Sequence, residues 1–290
     1  MSTYRIAGHY LHVEGSPEAD LLQSIPGFPV FLAEGQEAEW TVCFGCEVTL
    51  PEDCRELGSF AFGEGEMHCR FLRKGEDYYF TMQPTDGSQE PFLLHYGGGD
   101  TAEATHTGNP SILRFGMWMA LGLLSARSKM LLIHSSTIVH QGKAVLFLGE
   151  SGTGKSTHTR LWMKHIPDAH LLNDDSPVLA IEEGVPVAYG SPWSGKTHCY
   201  YPYRFPIAAV VRLSQAPYNR IHRLGVLDAI AALQPSCPPA LAQDETYADW
   251  MMDILSDAIS RIPVFHLECL PDADAAHTSH DAIFGTTPNP

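Results

Sequence analysis

The sequence predicts an α/β protein, with a β-rich N-terminal domain over residues 1–108 and an α/β core containing a phosphate-binding loop over residues 109–290. Three observations lead to this prediction. Short apolar segments alternate with Gly- and Pro-rich turns as far as residue 108. From Leu131 onward, longer apolar segments alternate with helical patterns. A glycine-rich loop ending in Gly-Lys-Ser lies between one such segment and a helix.

Strands are expected throughout the N-terminal domain. The segments EWTVCF, FAFGEG, CRFLRK and DYYFTM are rich in aromatic and other strand-favouring residues. Turn sequences separate them, among them Pro26-Gly27, Lys74-Gly75 and Asp86-Gly87. Because short turns join neighbouring strands of opposite direction, we expect a mostly antiparallel sheet. No catalytic motif stands out in this region of the sequence.

A helix is predicted over residues 109–127. Asn109-Pro110-Ser111 is a typical start, with Pro in the first turn. Apolar residues follow at approximately helical spacing: Ile112, Phe115, Trp118, Met119 and Leu123. We expect this helix to connect the two regions and to pack on the second.

Strands and helices alternate in the second region. The predicted strands are LLIHSSTIV, AVLFLG, LLNDD, SPVLAIE, VPVAYG, FPIAAVVRL and PVFHLEC. Helices are predicted from Lys155 to His165 and at 226–233, 243–261 and 272–283. The segment AVLFLG is almost wholly apolar, as expected of a strand that is covered on both faces.

The net charge excludes two classes of partner. Eighteen Lys and Arg residues oppose 34 Asp and Glu residues, which gives a formal charge of −16. Nucleic acids and anionic membranes attract cationic surfaces, so neither is expected to bind here. The negative charge does not exclude a phosphate ligand, because backbone N–H groups can hold an anion on an acidic protein.

The sequence has seven cysteines and no apparent secretory leader. We therefore expect the cysteines to be reduced thiols in a cytoplasmic protein.

The sequence GESGTGKS fits the pattern G-x-x-x-x-G-K-[ST] in full. Glycines let the backbone curl so that its N–H groups face a polyphosphate, and the following helix adds its positive N-terminal end. Lys155 is expected to reach the β- and γ-phosphates, and the Ser156 hydroxyl to bind Mg²⁺. The predicted nucleotide-binding residues are Gly149, Glu150, Ser151, Gly152, Thr153, Gly154, Lys155, Ser156 and Thr157.

Two adjacent aspartates, Asp174 and Asp175, end the apolar segment that follows the predicted helix. Their pairing suggests a division of labour, in which one binds the metal and the other takes a proton from an attacking hydroxyl. A strand-ending turn or a helix cap is the structural alternative. The motif upstream favours the catalytic interpretation.

The segments HSSTIVHQGKAVLFLGESGTGKSTHTRLW and NDDSPVL together resemble the catalytic domain of HPr kinase/phosphorylase. They also resemble the nucleotide-binding core of phosphoenolpyruvate (PEP) carboxykinase. The resemblance implies a P-loop core of the HPr kinase/PEP carboxykinase type. It also implies that Ser156 and Asp175 bind Mg²⁺ and that Asp174 is the general base. His134, expected on the strand before the P-loop strand, would orient or charge-assist that base.

The segment SPWSGK resembles a P-W-x-G-K element of small HPr-kinase-like proteins. Its Lys196 is a candidate for stabilising charge on the transferring phosphoryl group, and Arg204 is a weaker candidate. An exposed, solvated cation is the structural alternative for both residues.

These observations predict a kinase that uses ATP and Mg²⁺ to phosphorylate a hydroxyl, serine foremost, on a small molecule, peptide or protein. Two alternatives stay open: a non-catalytic ATP-binding regulatory module, and a PEP carboxykinase-like enzyme. The resemblance also implies that a homo-oligomer is possible.

Overall fold

Two β-sheets and six α-helices make up the described part of a mixed α/β chain. The computed structural model describes residues 1–63, 65–126, 128–195 and 197–285. The chain divides into two compact units, Met1–Ser128 with Pro239–Trp250, and Lys129–Pro238 with Met251–Pro290. This division differs from the predicted boundary after residue 108.

The first unit contains an eight-stranded sheet in the order β1-β2-β3-β8-β7-β6-β5-β4. The β2–β3 and β3–β8 pairs are parallel and the other pairs are antiparallel, so the described sheet is mostly antiparallel, as predicted. The strands are β1 (Ser2–Ile6), β2 (His9–Glu14), β3 (Trp40–Phe44), β4 (Arg55–Phe62), β5 (Met67–Lys74), β6 (Asp77–Pro84), β7 (Phe92–Tyr96) and β8 (Thr101–Ala104).

Helices α1 (Glu18–Ser24) and α2 (Pro110–Ser125) belong to the same unit. The Asn109 side chain caps α2 by accepting hydrogen bonds from the backbone N–H groups of Ser111 and Ile112. Helix α2 packs on α1, β3, β7 and β8. At Gly116 it approaches the sheet so closely that a Cβ would lie 2.8 Å from the Phe92 ring. The expectation that this helix packs on the second region is therefore corrected, because its buried face completes the first core.

The second unit is built on a sheet of nine strands, with the path β12-β10-β11-β15-β14-β13-β9 and with β17 joining β15 and β16. Strand β11 is paired antiparallel to β10 and parallel to β15. The strands are β9 (Met130–Leu132), β10 (Ser135–His140), β11 (Lys143–Leu148), β12 (His170–Asp175), β13 (Val178–Glu182), β14 (Val185–Tyr189), β15 (Arg204–Gln215), β16 (Arg220–Arg223) and β17 (Val264–Cys269).

The remaining helices are α3 (Lys155–His165), α4 (Val226–Leu233), α5 (Glu245–Ile259) and α6 (Ala273–Phe284), all close to their predicted bounds. The division between units falls within α5, after Trp250. In the second unit α3 packs on β10, β11, β12 and α6. Its fully buried Trp162 shares a core with Phe147 of β11 and Leu267 of β17. This packing fixes α3 against the strands whose ends carry the candidate site.

The described helices include none that is both long and apolar enough to cross a membrane.

Candidate active site

A glycine-rich loop connects β11 to α3. Gly149, Gly152 and Gly154 have φ values of +155°, +82° and +106°, which other residues adopt rarely. At Gly149 a Cβ would also lie 2.9 Å from the Thr153 hydroxyl oxygen. The Thr153 N–H and hydroxyl both donate to the Glu150 carbonyl. The motif therefore folds into a tight curl that only glycine permits at these positions.

The N-terminus of α3 follows the curl directly. Gly154 occupies the N-cap, and the His158 N–H donates to its carbonyl at 2.8 Å. Among the described residues no side chain caps this helix end, and the first turn has no acid. The positive end of the helix dipole, which includes the backbone of Ser156 and Thr157, therefore has neither a capping side chain nor a first-turn acid among the described residues.

The Lys155 ammonium hydrogen-bonds to its own loop. Its Nζ donates to the carbonyls of Gly149 at 2.8 Å and Glu150 at 3.2 Å. Burial lowers the pKa of Lys155, and the charges of Asp175 and Asp174 act in the opposite direction. Both carboxylates are thus within electrostatic reach of the ammonium. The two acids thus act on the pKa of a lysine that precedes Asp174 by 19 residues in the sequence.

Asp174 is buried, with 7% of its surface exposed. It lies opposite Ser136 on the neighbouring strand β10, and the Ser136 hydroxyl donates to its Oδ1 at 2.6 Å. The Ser136 and Thr159 hydroxyl oxygens are 3.0 Å apart, so a hydrogen-bonded chain joins α3 to the carboxylate. The second oxygen, Oδ2, is buried and has no hydrogen-bond partner within the described residues. A buried carboxylate oxygen without a partner is costly unless a ligand or proton uses it.

Asp175 is more exposed and has different neighbours. The Nδ1 atom of His134 lies 3.3 Å from its Oδ1, and the Ser176 hydroxyl donates to its Oδ2 at 3.3 Å. His134 precedes β10 and is about half exposed. The expectation that His134 lies on a strand is therefore corrected, and its ion-pair contact is with Asp175. Its assistance to Asp174 stays a prediction. The chain breaks its strand at residues 133–134, and this break lets the imidazole reach the carboxylate of Asp175.

The segment SPWSGK lies beside the two acids. The buried amide of Asn173 donates to the Trp193 carbonyl at 3.0 Å, and Ser194 forms a β-bridge with Asp175. The Gly195 N–H donates to the backbone carbonyl of Asp174 at 3.2 Å, and a Cβ at Gly195 would lie 2.8 Å from that oxygen. Glycine is therefore required for this close approach. Lys196, the predicted charge-stabilising residue, lies outside the described residues.

Arg204 does not lie with this group. It begins β15, and its Nη1 donates to Glu182 at 2.8 Å. The far end of β15 lies beside the glycine-rich loop, where Arg212 pairs with Leu148 of β11. Arg212 is eight residues from Arg204, or roughly 26 Å in an extended strand. Arg204, the weaker candidate for stabilising the transferring group, thus forms an exposed ion pair at the other end of β15.

The structure adds Arg212 and Gln215, two residues that the sequence analysis did not select. Arg212 lies opposite Leu148 in the parallel β11–β15 pair, immediately before the loop. Its charge contributes to the lowered pKa of Lys155. The Gln215 amide donates to the Gly152 carbonyl at 3.2 Å. An arginine near the end of an otherwise apolar strand was the available sequence signal for this position.

A cavity of about 560 Å³ adjoins the loop and the first turns of α3. Its walls combine backbone of the loop with apolar side chains from α3 and from the ends of β15 and β17. The lining residues are Gly152, Thr153, Gly154, Thr157, His158, Leu161, Leu213, Gln215, Ala216, Cys269, Leu270 and Pro271. A pocket of this size, apolar with polar groups at one side, is typical of small-molecule sites.

Comparisons with known proteins give little further information. No protein-family model and no curated protein matches this chain. Among solved structures it is similar to the HPr(Ser) kinase/phosphatase from Coxiella burnetii, with 12% identity and a TM-score of 0.29. The match covers 52% of this chain and 95% of that one. A TM-score of this size is too low to support a conclusion about fold or activity.

The donor set at the site suits a hard cation. Carboxylate and hydroxyl oxygens are available from Asp175 and Ser156. Within the described residues, no three His, Cys, Asp or Glu side chains are grouped closely enough to hold a metal ion. Mg²⁺ does not require such a group, since it is usually bound by one or two carboxylates together with waters and substrate phosphates.

Proposed function

We propose that this protein is a phosphotransferase that uses ATP and Mg²⁺ to phosphorylate a hydroxyl group. One observation supports this proposal most strongly: Asp174, on the strand that follows a complete G-x-x-x-x-G-K-S loop and its helix, is buried with one carboxylate oxygen fixed by Ser136 and the other without a partner in the described structure. A loop lysine, a metal-binding acid and a proton-accepting acid are the groups that phosphoryl transfer to a hydroxyl requires.

The loop would bind the phosphates of ATP. Its N–H groups and the uncapped end of α3 attract an anion. The Lys155 ammonium, which donates to the loop carbonyls of Gly149 and Glu150, would turn to the β- and γ-phosphates. The acidic chain would thus neutralise a polyphosphate locally, despite its overall charge. The cavity beside Gly152 and Thr157 has apolar walls at Leu161 and Leu213 that suit a nucleoside.

Ser156 and Asp175 would hold Mg²⁺ through their oxygens. When bound, the ion supplies positive charge that neutralises the phosphates. His134 and Ser176 fix the orientation of the Asp175 carboxylate through contacts at 3.3 Å each. Such outer contacts orient a ligand and tune its affinity for metal.

Asp174 would act as the general base. Ser136 fixes its Oδ1, whereas its Oδ2 has no partner and can take the proton of the acceptor hydroxyl. A bond then forms between the acceptor oxygen and the γ-phosphorus, and the bond to the bridging oxygen breaks. The electron pair leaves with ADP. Positive charge from Lys155, Arg212 and Lys196 would stabilise the transferring group.

The acceptor would be a hydroxyl on a small molecule, a peptide or a protein, because a buried carboxylate is suited to deprotonate a hydroxyl. Serine is the foremost candidate because the sequence resembles HPr kinase. A cytoplasmic location and a homo-oligomeric assembly belong to the same proposal.

Two measurements test the proposal together. Titration with a fluorescent ATP analogue measures nucleotide binding, and transfer of labelled γ-phosphate to free serine, serine peptides and protein extracts measures activity. Lys155→Ala should abolish both, whereas Lys164→Ala, which removes an exposed lysine from the same helix, should alter neither. Binding of ATP by the wild-type chain without transfer to any hydroxyl would contradict the kinase assignment.

Asp174→Asn separates the kinase from an ATP-binding regulatory module. The kinase requires this base, so transfer should fall by about 10²- to 10⁴-fold while nucleotide binding persists. A regulatory module would keep its nucleotide-dependent behaviour in this variant. ATP-dependent decarboxylation of oxaloacetate, measured alongside, would instead indicate the carboxykinase-like alternative.

A further inference from the structure

A second cavity lies at the other end of α3, away from the glycine-rich loop. Ten residues separate Lys155 from His165, which places the two ends of the helix about 15 Å apart. The cavity has a volume of about 450 Å³ and is lined mainly by imidazoles and carboxylates. Its lining residues are His140, Gln141, His165, Ile166, Pro167, Asp168, His277, His280 and Asp281. Four of the chain's 15 histidines therefore meet in one cavity.

Three elements of the second unit bring these side chains together. His140 is the last residue of β10, His165 ends α3, and His277 and His280 lie on α6. Helix α6 packs on α3, and the ring of Trp162 lies 6.3 Å from that of His140 and 5.7 Å from that of His280. The two histidine rings are thus held by packing against a buried core residue.

The closest contact in the cavity joins two imidazole nitrogens. The Nε2 atoms of His140 and His280 are 3.3 Å apart. Two nitrogens bound tetrahedrally to one zinc ion, at about 2.0–2.1 Å each, are separated by roughly 3.3 Å. The pair therefore already has the spacing of two ligands on a common ion.

The outer nitrogen of His280 fits the same arrangement. The Nδ1 atom of His280 lies 3.0 Å from the carboxylate of Asp281, which favours a proton on Nδ1 and leaves the Nε2 lone pair free. Metal-bound histidines commonly donate their other N–H to a carboxylate or carbonyl in this way. The Nδ1 atom of His140 is buried without a hydrogen-bond partner in the described structure, and the backbone of Pro167 is a polar neighbour of that ring.

We propose that His140 and His280 bind a divalent transition-metal ion of the zinc class through their Nε2 atoms. Imidazole ligands select zinc, nickel, copper and related ions over Mg²⁺, so this site would differ in chemistry from the oxygen ligands at Asp175. Water molecules would complete the coordination, since no third His, Cys, Asp or Glu side chain among the described residues is placed to do so. The site depends on neither nucleotide nor catalysis.

Calorimetric titration of the tag-free chain with Ni²⁺, in excess Mg²⁺, tests the proposal. We expect one Ni²⁺ site per chain that His280→Gln removes and that His68→Gln, at an exposed histidine of the other unit, preserves. Asp281→Asn should weaken binding by about 10- to 100-fold, because it removes the carboxylate that orients His280. Circular dichroism establishes that each variant is folded.

Spectroscopy identifies the ligands independently. Cu²⁺ at the site should give an electron paramagnetic resonance spectrum with coupling to two imidazole nitrogens, and it should quench Trp162 fluorescence. A Trp162→Phe variant should lose that quenching but keep the two nitrogens. Equal Ni²⁺ binding by wild type and folded His280→Gln would overturn the proposal and leave a hydrogen-bonded histidine pair. Absence of Ni²⁺ binding by the wild-type chain would overturn it as well.

Discussion

The Ser136 hydroxyl donates a 2.6 Å hydrogen bond to one oxygen of the buried Asp174 carboxylate, while the other oxygen has no partner in the described structure. Neighbouring strands, β10 and β12, hold the two residues opposite each other. Ser136 thus fixes one carboxylate oxygen of Asp174, and the other remains available to accept a proton. The proposed base is positioned by the sheet itself, rather than by a loop that would have to order during the reaction.

Ser136→Ala should slow phosphoryl transfer by roughly tenfold to a hundredfold, because Asp174 loses the contact that orients it. Nucleotide affinity should change little, so the effect should be in kcat and not in KM for ATP. Urea unfolding should also show a loss of about 1–3 kcal/mol in stability, the cost of an unsatisfied buried polar group.

Ser135→Ala is the matched control. This serine is also buried on β10, but its hydroxyl pairs with Thr137 and not with a carboxylate. Equal losses of kcat in the two variants would mean that Ser136 has only a structural role.

Arg212→Gln should reduce transfer on the order of a hundredfold, because a fixed positive charge beside the loop is lost. Arg212→Lys should recover part of the rate, since it keeps the charge. Steady-state kinetics with Arg204→Gln as control measure this effect. Arg204 lies at the other end of the same strand, where it pairs with Glu182, so its loss should leave transfer unchanged. A normal rate in Arg212→Gln would exclude the guanidinium from the site.

Ala216→Phe should fill part of the cavity beside the loop. ATP affinity should fall by about tenfold, equivalent to ~1.4 kcal/mol, while affinity for inorganic tripolyphosphate should persist because the glycine-rich loop is unchanged. Competition binding with both ligands distinguishes the two effects. Parallel losses for ATP and tripolyphosphate would show that the cavity does not hold the nucleoside.

We expect the buried imidazole of His158 to make the folded protein less stable in mild acid. Burial lowers its pKa to about 4, and its Nε2 lies 3.1 Å from the Ser279 hydroxyl. Because the unfolded chain binds the proton near pH 6.5 and the folded chain does not, the contribution of the neutral ring is complete above pH 6.5. It decreases as the pH falls toward 4.

The expected loss attributable to this histidine is on the order of 3 kcal/mol across that range. Urea unfolding, followed by tryptophan fluorescence at several pH values, measures it. In a folded His158→Gln variant the decline should be smaller by that amount. An unchanged decline would assign the acid sensitivity to other groups.

Much of the candidate site is predictable because its signals are local. The loop motif, the strand before it and the helix after it occupy consecutive residues, and glycine spacing determines the curl between Gly149 and Gly154. Asp174 and Asp175 stand out because two acids end an apolar strand. The helix bounds in the second unit follow from periodicity in the same way.

The remaining features depend on contacts between distant residues. Ser136 reaches Asp174 only through the register of β10 and β12, and Arg212 reaches the loop only because β15 runs parallel to β11. Nothing local distinguishes His134 as a partner of Asp175 rather than of Asp174. The sheet on which α2 packs is likewise not encoded locally, because apolar periodicity indicates a buried face but not which sheet covers it.

The central claim is tested most directly by transfer of labelled γ-phosphate from ATP in wild type and Asp174→Asn, with Asp253→Asn at an exposed site of α5 as control. We predict a labelled hydroxyl acceptor with wild type and the control. We also predict a loss of about 10²- to 10⁴-fold in Asp174→Asn at unchanged ATP affinity. Equal transfer by Asp174→Asn and wild type would contradict the account.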